Sequence, residues 1–274
     1  MKILKRIIIV FIILFIVVFA LFPFYIMLKS SFEPYARIVS FDFHLLPDKL
    51  TYIDNYKEMF INHHILRWLG NSFIVTILAV AGSLILDTLA AFALSRLNFP
   101  GKNLSFNIIL MTLMIPIQVI MVPLYLLMIK FNWLDTYTGL IVPTMTSPFA
   151  IFLLRQNFMQ IPRELDEAAL IDGANYINIL FKIIIPNSLA AIGTVVVIKF
   201  MWVWGDYLWP SLIIKNDLMR TLPVGIAMLR TSAGTVSWDL LTATSVIAVI
   251  PIIIMFIYLQ KYFVKGLTEG AVKG

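Results

Sequence analysis

The sequence predicts an all-α membrane protein with six transmembrane helices. Of its 274 residues, 61% are hydrophobic and 13% are charged, whereas soluble domains carry about 25% charged residues. The mean hydropathy of +0.93 indicates the same class. A helix needs about 20 apolar residues to cross a ~30 Å hydrocarbon core. Six runs approach this length: residues 7–28, 72–94, 106–129, 140–158, 183–204 and 240–258.

The first apolar run follows a short basic segment that contains Lys2, Lys5 and Arg6. A cleaved signal peptide begins in the same way. However, the run is longer than the usual apolar core of a signal peptide, and no A-x-A-like cleavage site follows it. We therefore interpret residues 7–28 as a membrane span, with cleavage as the alternative.

The third apolar run contains two prolines, Pro116 and Pro123. Proline lacks a backbone N–H and disturbs a helix at its own position. Membrane helices tolerate such kinks when neighbouring groups satisfy the freed carbonyls. We therefore expect one kinked span over residues 106–129.

The orientation of the spans follows from the distribution of Lys and Arg near their ends. If the N-terminus is cytoplasmic, the inner segments hold an excess of basic residues, whereas basic and acidic residues balance in the outer segments. Cytoplasmic loops carry such an excess in membrane proteins. This pattern predicts that both termini are cytoplasmic. It also explains the net charge of +6 without a nucleic-acid partner.

Several classes of function find no support in the residue types. The chain has no cysteine and only three scattered histidines, so no disulfide or metal site is expected. It lacks the G-x-x-x-x-G-K-[ST] loop that holds nucleotide phosphates. There is also no nucleophile elbow or paired-carboxylate motif. We predict no bound cofactor, no metal and no enzymatic activity for this chain.

Residues 161–186, between the fourth and fifth runs, combine charged and small residues in a helix–turn–helix pattern. Pro162 suits the first turn of a helix, where its missing N–H is not needed. Acidic residues follow it, at the positive end of the helix dipole. The pair Asp172-Gly173 should end this helix because glycine accepts a left-handed conformation. A second helix can begin near Asn175.

The contact face of this loop is made of small residues. Ala168 and Ala169 permit close approach of a partner, and apolar residues recur on both helices at roughly helical spacing. We therefore predict that residues 161–186 form a docking element.

The loop resembles a known family pattern. Glu167-Ala168-Ala169 is followed by Gly173 and then by Ile185-Pro186 at fixed spacing. This resembles the "EAA" cytoplasmic loop in the membrane subunits of binding-protein-dependent ABC importers, although Ile185 replaces the usual Leu. The triplet alone would be unspecific, but the glycine and the proline at these offsets make the whole pattern specific.

The resemblance covers nearly the whole chain and is strongest to the carbohydrate-importing (MalG-like) branch. The matching stretches are residues 71–72, 93–102, 152–156, 204–210 and 260–274. Gly205 departs from the pattern, which commonly has Asn there. The resemblance implies that residues 1–274 form a single ABC transmembrane domain with its core at about 72–262. The loop at 161–186 would then be the coupling loop, and residues 263–274 would be a cytoplasmic tail.

The resemblance also implies partners and a transport function. Such permeases assemble with a homologous second permease subunit, two ATPase subunits that hold ATP and Mg, and an extracytoplasmic sugar-binding protein. By this resemblance the chain would move a sugar, such as an oligosaccharide, inward by alternating access. The residues implied to meet the ATPases are Glu167, Ala168, Ala169, Asp172 and Gly173 in the loop, and Gly270, Lys273 and Gly274 in the tail. We expect the glycine-containing tail to remain unfolded until a partner orders it.

Two ionisable residues inside the predicted spans are candidates for function. Counting about 1.5 Å per residue places Asp87 near the inner third of the membrane and Lys199 near its outer boundary, too far apart to pair. We expect Lys199 to snorkel to the interface. Asp87 would form an interhelical hydrogen bond or face a water-filled cavity.

Aromatic residues crowd the outer end of the fifth predicted span. Trp202, Trp204, Tyr207 and Trp209 could form an interfacial aromatic belt. Alternatively, some of these rings face the substrate pathway and stack on sugar rings, while Asp206 accepts hydrogen bonds from hydroxyl groups. The candidate substrate pathway comprises Asp87, Trp204, Asp206, Tyr207 and Trp209.

A self-sufficient secondary transporter or channel of six spans is the rival hypothesis. Ion-coupled transporters usually need intramembrane acid–base relays or pairs of broken helices. Only Asp87 offers such a group in the sequence. The two hypotheses differ in whether transport requires ATP hydrolysis by a partner.

Overall fold

The computed structural model describes residues 2–40, 44–47, 52–230 and 234–271. Its regular structure in these ranges is helical, apart from an isolated bridge between Arg230 and Val236. The α-helices are α1 (Lys2–Ser30), α2 (Tyr35–Ile38), α3 (Asp54–Asn62), α4 (Ile65–Arg96), α5 (Lys102–Thr112), α6 (Ile117–Lys130), α7 (Tyr137–Ile141), α8 (Pro148–Gln160), α9 (Glu164–Ile171), α10 (Tyr176–Ile179), α11 (Ile185–Asn187), α12 (Leu189–Trp204), α13 (Leu208–Ile213), α14 (Leu222–Ala227) and α15 (Trp238–Ala271).

Five helical segments of the described chain are long and apolar enough to cross a membrane. The pair α5 and α6 forms a sixth crossing if both arms belong to one span, and its arms meet at 101°. The predicted all-α fold is therefore confirmed. The sharp bend lies at the break before Pro116, whereas Pro123 lies inside α6. The expected kink at Pro123 is thus not the main feature of this span.

The fourth crossing is broken, although the sequence predicts one continuous run over 140–158. Helix α7 passes into a short 3-10 turn, Val142–Thr144, and α8 begins only at Pro148. Pro143 lies in this 3-10 turn, and Ser147 caps α8 by accepting a hydrogen bond from the Ala150 N–H at 3.3 Å. Two prolines in one run explain the break, because each removes a backbone donor.

The fifth crossing starts later than predicted. The regular helix α12 begins at Leu189 rather than at residue 183. Before it, a π-helical segment covers Leu180–Ile184 and leads into α11, which contains Pro186. Pro186 cannot donate to the helical ladder, so the carbonyl four residues earlier, inside the π-helical segment, lacks its usual partner.

The C-terminal helix is longer than predicted. Helix α15 continues to Ala271, so residues 263–271 do not form the unfolded tail expected from their glycines. Extension of an existing helix is cheaper than nucleation, since each added residue contributes one hydrogen bond. Gly270 lies in this helix, whereas Lys273 and Gly274 lie outside the described residues.

The chain divides into two compact units: Met1–Leu66 with Val224–Pro251, and Arg67–Pro223 with Ile252–Gly274. In the first unit, the Asn55 amide donates to the carbonyls of Ser31 and Glu33 at 3.0 and 2.8 Å. The second unit has a buried core in which Phe92, Leu154 and Phe158 pack near the helix–turn–helix loop. The sites described below all lie in the second unit.

Candidate functional site

The predicted helix–turn–helix loop is present, and its turn is made by Gly173. Helix α9 begins with three acidic residues in its first turn and ends at Ile171. Gly173 has φ +82°, and the next residue closes the turn because the Ala174 N–H donates to the Ala169 carbonyl at 2.9 Å. Asn175 then caps α10 by accepting from the Asn178 N–H at 2.8 Å. The two helices and the turn expected from the sequence are confirmed, but Pro162 precedes the N-cap Arg163 and does not lie in the first turn of α9.

The loop has a packed face and an exposed face. Ala169 and Ala174 pack against the buried core of the second unit. Glu167, Ala168, Asp172 and Gly173, in contrast, are exposed.

An apolar surface accompanies these exposed residues. Ile171 is 87% exposed and Ile177 is 66% exposed. Exposed apolar groups beside charged ones are a common feature of protein–protein contact sites. The exposed face of the loop therefore combines apolar and charged residues, and its role as a docking element stays a prediction.

An ion pair fastens the loop to the end of α4, and sequence reasoning missed it. Arg96 Nε lies 3.1 Å from Asp166 Oδ2, and both side chains are largely buried. The Arg96 Nη2 atom also donates to the Ile161 carbonyl at 2.9 Å. The two residues are 70 positions apart in the sequence, so no local pattern pairs them. Their opposite charges, in two segments predicted to lie on the same side of the membrane, were the only available signal.

Burial dominates the electrostatics of Asp166. Desolvation raises the pKa of this carboxyl above its usual value, although Arg96 and Arg163 oppose the rise. Asp166 Oδ1 is buried and accepts no hydrogen bond. Burial favours the neutral form of an acid, so the ion pair is what favours the charged carboxylate here.

Asp87 and Lys199 flank the break in the fourth crossing. Asp87 Oδ1 accepts a hydrogen bond from the Ser147 N–H at 3.1 Å, and the Ser83 hydroxyl donates to Oδ2. Lys199 Nζ donates to the Thr146 carbonyl at 3.3 Å. The two opposite charges also attract each other electrostatically. Of the two alternatives for Asp87, the interhelical hydrogen bond is the one observed.

The predicted separation of Asp87 and Lys199 in depth is wrong, and so is the snorkelling of Lys199. Lys199 is only 6% exposed. Asp87 lies nine residues before the end of α4 at Arg96, and Lys199 lies ten residues after the start of α12 at Leu189. At 1.5 Å per residue, each of the two residues lies about 14–15 Å along its helix from that end, so the two lie at a similar depth. The error arose because the sequence placed the start of the fifth span too early.

A cavity of about 390 Å³ opens beside Lys199. Its lining includes Thr146, Lys199, Trp202, Asp206 and Trp209. The lining is mainly apolar, with one basic and one acidic side chain. A mainly apolar pocket with a few ionisable side chains, among helices long enough to cross a membrane, marks a candidate pathway.

Only some of the predicted pathway residues line the cavity. Asp206 and Trp209 line the cavity, and the Trp209 Nε1–H donates to the Gly139 carbonyl at 3.0 Å. Asp87 lies behind the cavity wall through its bond to Ser147.

Trp204 and Tyr207 do not line the cavity. Trp204 is buried and packs against Phe73 and Phe200, with distances between ring centroids of 4.8 and 5.6 Å. These contacts indicate a packing role. Tyr207 is 41% exposed. Of the aromatic residues grouped from the sequence, Trp202 and Trp209 line this cavity, as does Asp206; Thr146 was not suggested by the sequence, and a role of any of them in a substrate pathway stays a prediction.

Crossings of the membrane, an exposed helix–turn–helix loop and an intramembrane cavity define the class of membrane-embedded transport subunits. The family described as "binding-protein-dependent transport system inner membrane component" matches residues 83–269. The chain belongs to this family. It is therefore a multi-pass inner-membrane permease component, and the reading as a self-sufficient secondary transporter is not supported.

Relatives match over almost the entire chain. AraQ of Halalkalibacterium halodurans, an arabinooligosaccharides transport system permease protein, is 37% identical over 263 residues, which cover 95% of this chain and 94% of AraQ. UgpE of Brucella abortus, an sn-glycerol-3-phosphate transport system permease protein, is 35% identical over 262 residues, with 92% of both chains covered.

A solved structure has the same fold. A bacterial ABC transporter involved in the import of the acidic polysaccharide alginate superposes with a TM-score of 0.84 at 24% identity, covering 95% of this chain and 96% of that one. This likeness concerns the fold alone.

Proposed function

We propose that this chain is the permease subunit of an ATP-driven importer that moves a sugar, such as an oligosaccharide, inward by alternating access. The observation that carries the proposal is the exposed loop at α9, which is fixed to the membrane helices on one side and free on the other. The family to which the chain belongs supports this function, as do the names of its relatives AraQ and UgpE.

The proposal includes partners for each exposed surface. The complex contains two ATPase subunits, which hold ATP and Mg, and this chain meets them through the exposed residues Glu167, Ala168, Asp172 and Gly173. Ala169 supports this face from behind, since it packs against the core. A homologous permease subunit completes the pathway, and an extracytoplasmic binding protein delivers the sugar. One structural neighbour was solved in complex with a periplasmic protein bound to an alginate pentasaccharide, which supports a binding-protein partner.

The orientation of the chain follows from the same proposal. The basic inner segments support cytoplasmic termini, and this orientation places the α9 loop on the side of the ATPases. Gly270, Lys273 and Gly274 belong to the tail that we propose to contact the ATPase subunits as well.

The cavity supports a sugar as the cargo. Trp202 offers an aromatic face for the apolar side of a sugar ring, Lys199 is a hydrogen-bond donor and Asp206 is an acceptor. The neighbouring Asp87 stabilises the wall of this pathway. Sugars carry both apolar C–H faces and hydroxyl groups, so they match this mixed lining.

The energy source tests the proposal. In cells that express the chain with its partners, we expect uptake of a radiolabelled arabinooligosaccharide to stop when ATP is depleted. Collapse of the proton gradient at constant ATP should leave uptake unchanged, because no ion gradient drives the cycle. Uptake that depends on the gradient and persists without ATP would overturn the proposed function.

A further inference from the structure

The cytoplasmic end of α4 is a meeting point for the elements around the docking loop. Arg96, the last residue of α4, pairs with Asp166 in the first turn of α9. The side chain of Arg96 is 4% exposed and that of Asp166 is 13% exposed. A pair with so little access to water is screened weakly by salt, and loss of one partner would leave the other charge buried and uncompensated.

Three further cations bind the last carbonyls of the same helix. Arg155 of α8 donates to the Leu94 carbonyl at 3.1 Å. Arg163, just before α9, donates to the Ser95 carbonyl at 3.4 Å. Lys102 of α5 donates to the carbonyls of residues 95 and 97 at 3.2 and 2.7 Å. Cations are favourable at this end of a helix because the helix dipole is negative there.

These contacts differ in which element they join to α4. Arg155 and Lys102 tie membrane helices to α4, whereas Arg96 and Arg163 tie the loop itself to α4. Of the latter two, only Arg96 forms an ion pair with a side chain of α9, since Arg163 bonds to a backbone carbonyl at 3.4 Å. The Arg96–Asp166 pair is therefore the specific link between α4 and α9.

Helix α4 leads from this link to the cavity. It runs from Ile65 to Arg96 without a break, and its Asp87 lies nine residues before Arg96. That distance is about 14 Å along the helix axis. Asp87 binds the Ser147 N–H, and Ser147 lines the cavity beside Lys199. A displacement of the loop can therefore reach the cavity wall through one continuous helix.

We propose that Arg96 and Asp166 are positioning residues for transport: they make α4 follow the docking loop, so that ATPase movement reaches the Asp87–Ser147 contact at the cavity. This inference rests on the proposed function of the chain. It adds a second route to the covalent one, in which movement passes from α9 into α8 and into the π-helical segment before α12.

The two routes predict different behaviour when the pair is broken. If α4 follows the loop only through Arg96 and Asp166, then Asp166→Asn leaves the docking face intact but loosens α4. The partner ATPases should still bind and hydrolyse ATP, while less sugar is moved for each ATP consumed. If the covalent route suffices, Asp166→Asn should transport with normal efficiency.

The test uses the reconstituted complex of the chain with its permease partner, its ATPases and the sugar-loaded binding protein. For Asp166→Asn we expect normal recovery of the assembled complex and a maximal ATPase rate near that of wild type. Uptake per ATP hydrolysed should fall about tenfold, in the range of typical coupling energies between sites. The concentration of loaded binding protein for half-maximal uptake should not change, because its binding surface is untouched.

The exchanged variant Arg96→Asp/Asp166→Arg restores an ion pair with the charges reversed, but each charge then lies at the unfavourable end of its helix dipole and the bond from Arg96 to the Ile161 carbonyl is lost. It should therefore recover part of the lost efficiency. Asp54→Asn is the matched control. Asp54 forms an ion pair of 3.0 Å with Lys57, but both side chains are more than half exposed. This change should leave uptake per ATP unchanged.

The possible failures are distinguishable. If wild-type uptake needs no ATP, the proposed function is wrong. If wild type is ATP-driven but Asp166→Asn keeps full efficiency, the positioning role is wrong. The role is also wrong if the exchanged variant assembles normally but remains as inefficient as the single variant. If Asp166→Asn and Arg96→Lys both fail to assemble, the pair serves folding, and the proposal is again overturned.

Discussion

Replacement of Gly173 by valine is expected to abolish sugar uptake while leaving the chain in the membrane. Gly173 has φ +82°, and an added Cβ would meet no atom within 4 Å. The effect therefore comes from backbone conformation and not from a clash. A β-branched residue at positive φ is strained, at about 1–3 kcal/mol. The turn after α9 should shift and displace the docking face. Sugar uptake and co-purification of the ATPases measure the effect.

Two control variants separate conformation from side-chain size. Gly173→Asn should retain most uptake, since asparagine tolerates the left-handed conformation. Gly70 also has open space at its Cβ position and no positive φ, so Gly70→Ala should transport normally. Wild-type uptake by Gly173→Val would remove this turn from the mechanism.

Replacement of Asp87 by alanine should produce the largest loss of stability. Asp87 is fully buried, and its removal leaves the Ser147 N–H without its acceptor and Lys199 without a nearby negative charge. A buried donor that loses its acceptor typically costs about 1–3 kcal/mol, and more when a charged group is involved. We expect a large drop in the thermal denaturation temperature of the purified complex in detergent, and low membrane levels of the chain.

Paired variants identify which of these two losses matters. Asp87→Asn keeps an acceptor oxygen for Ser147 but removes the charge, so its loss of stability should be smaller. Asp87→Asn/Lys199→Met removes both charges and should be more stable than Asp87→Asn alone. If the double variant is no more stable than the single one, the charge of Lys199 is not balanced by Asp87, and the account of this site is wrong.

The sequence predicted the features that depend on composition and local pattern. Apolar runs of sufficient length identified the membrane crossings, because the bilayer imposes both length and hydrophobicity. The loop at α9 was predicted down to its turn, because only a residue that accepts positive φ ends a helix in this way, and Gly173 supplies it. Asp206 and Trp209 were predicted near a pathway from their place at the end of a span.

Features that depend on long-range packing were not predicted. The depth of Lys199 depends on where α12 begins, and a π-helical segment moved that start to Leu189. Trp204 has the same residue type as Trp202, yet it packs between two phenylalanine rings. The Arg96–Asp166 pair joins residues 70 positions apart, so no local pattern indicates it. The prolines of the fourth run indicate a break, but not that it brings the backbone of Ser147 to Asp87.

Photo-crosslinking from the docking loop tests the central claim most directly. The chain contains no cysteine, so Ala168→Cys provides a unique attachment point for a benzophenone maleimide on the exposed face of α9. In the assembled complex, illumination should link this position to an ATPase subunit, and Asp54→Cys on α3 should give no such product. If Ala168→Cys gives no ATPase product in a complex that still hydrolyses ATP and imports sugar, the loop is not the docking element.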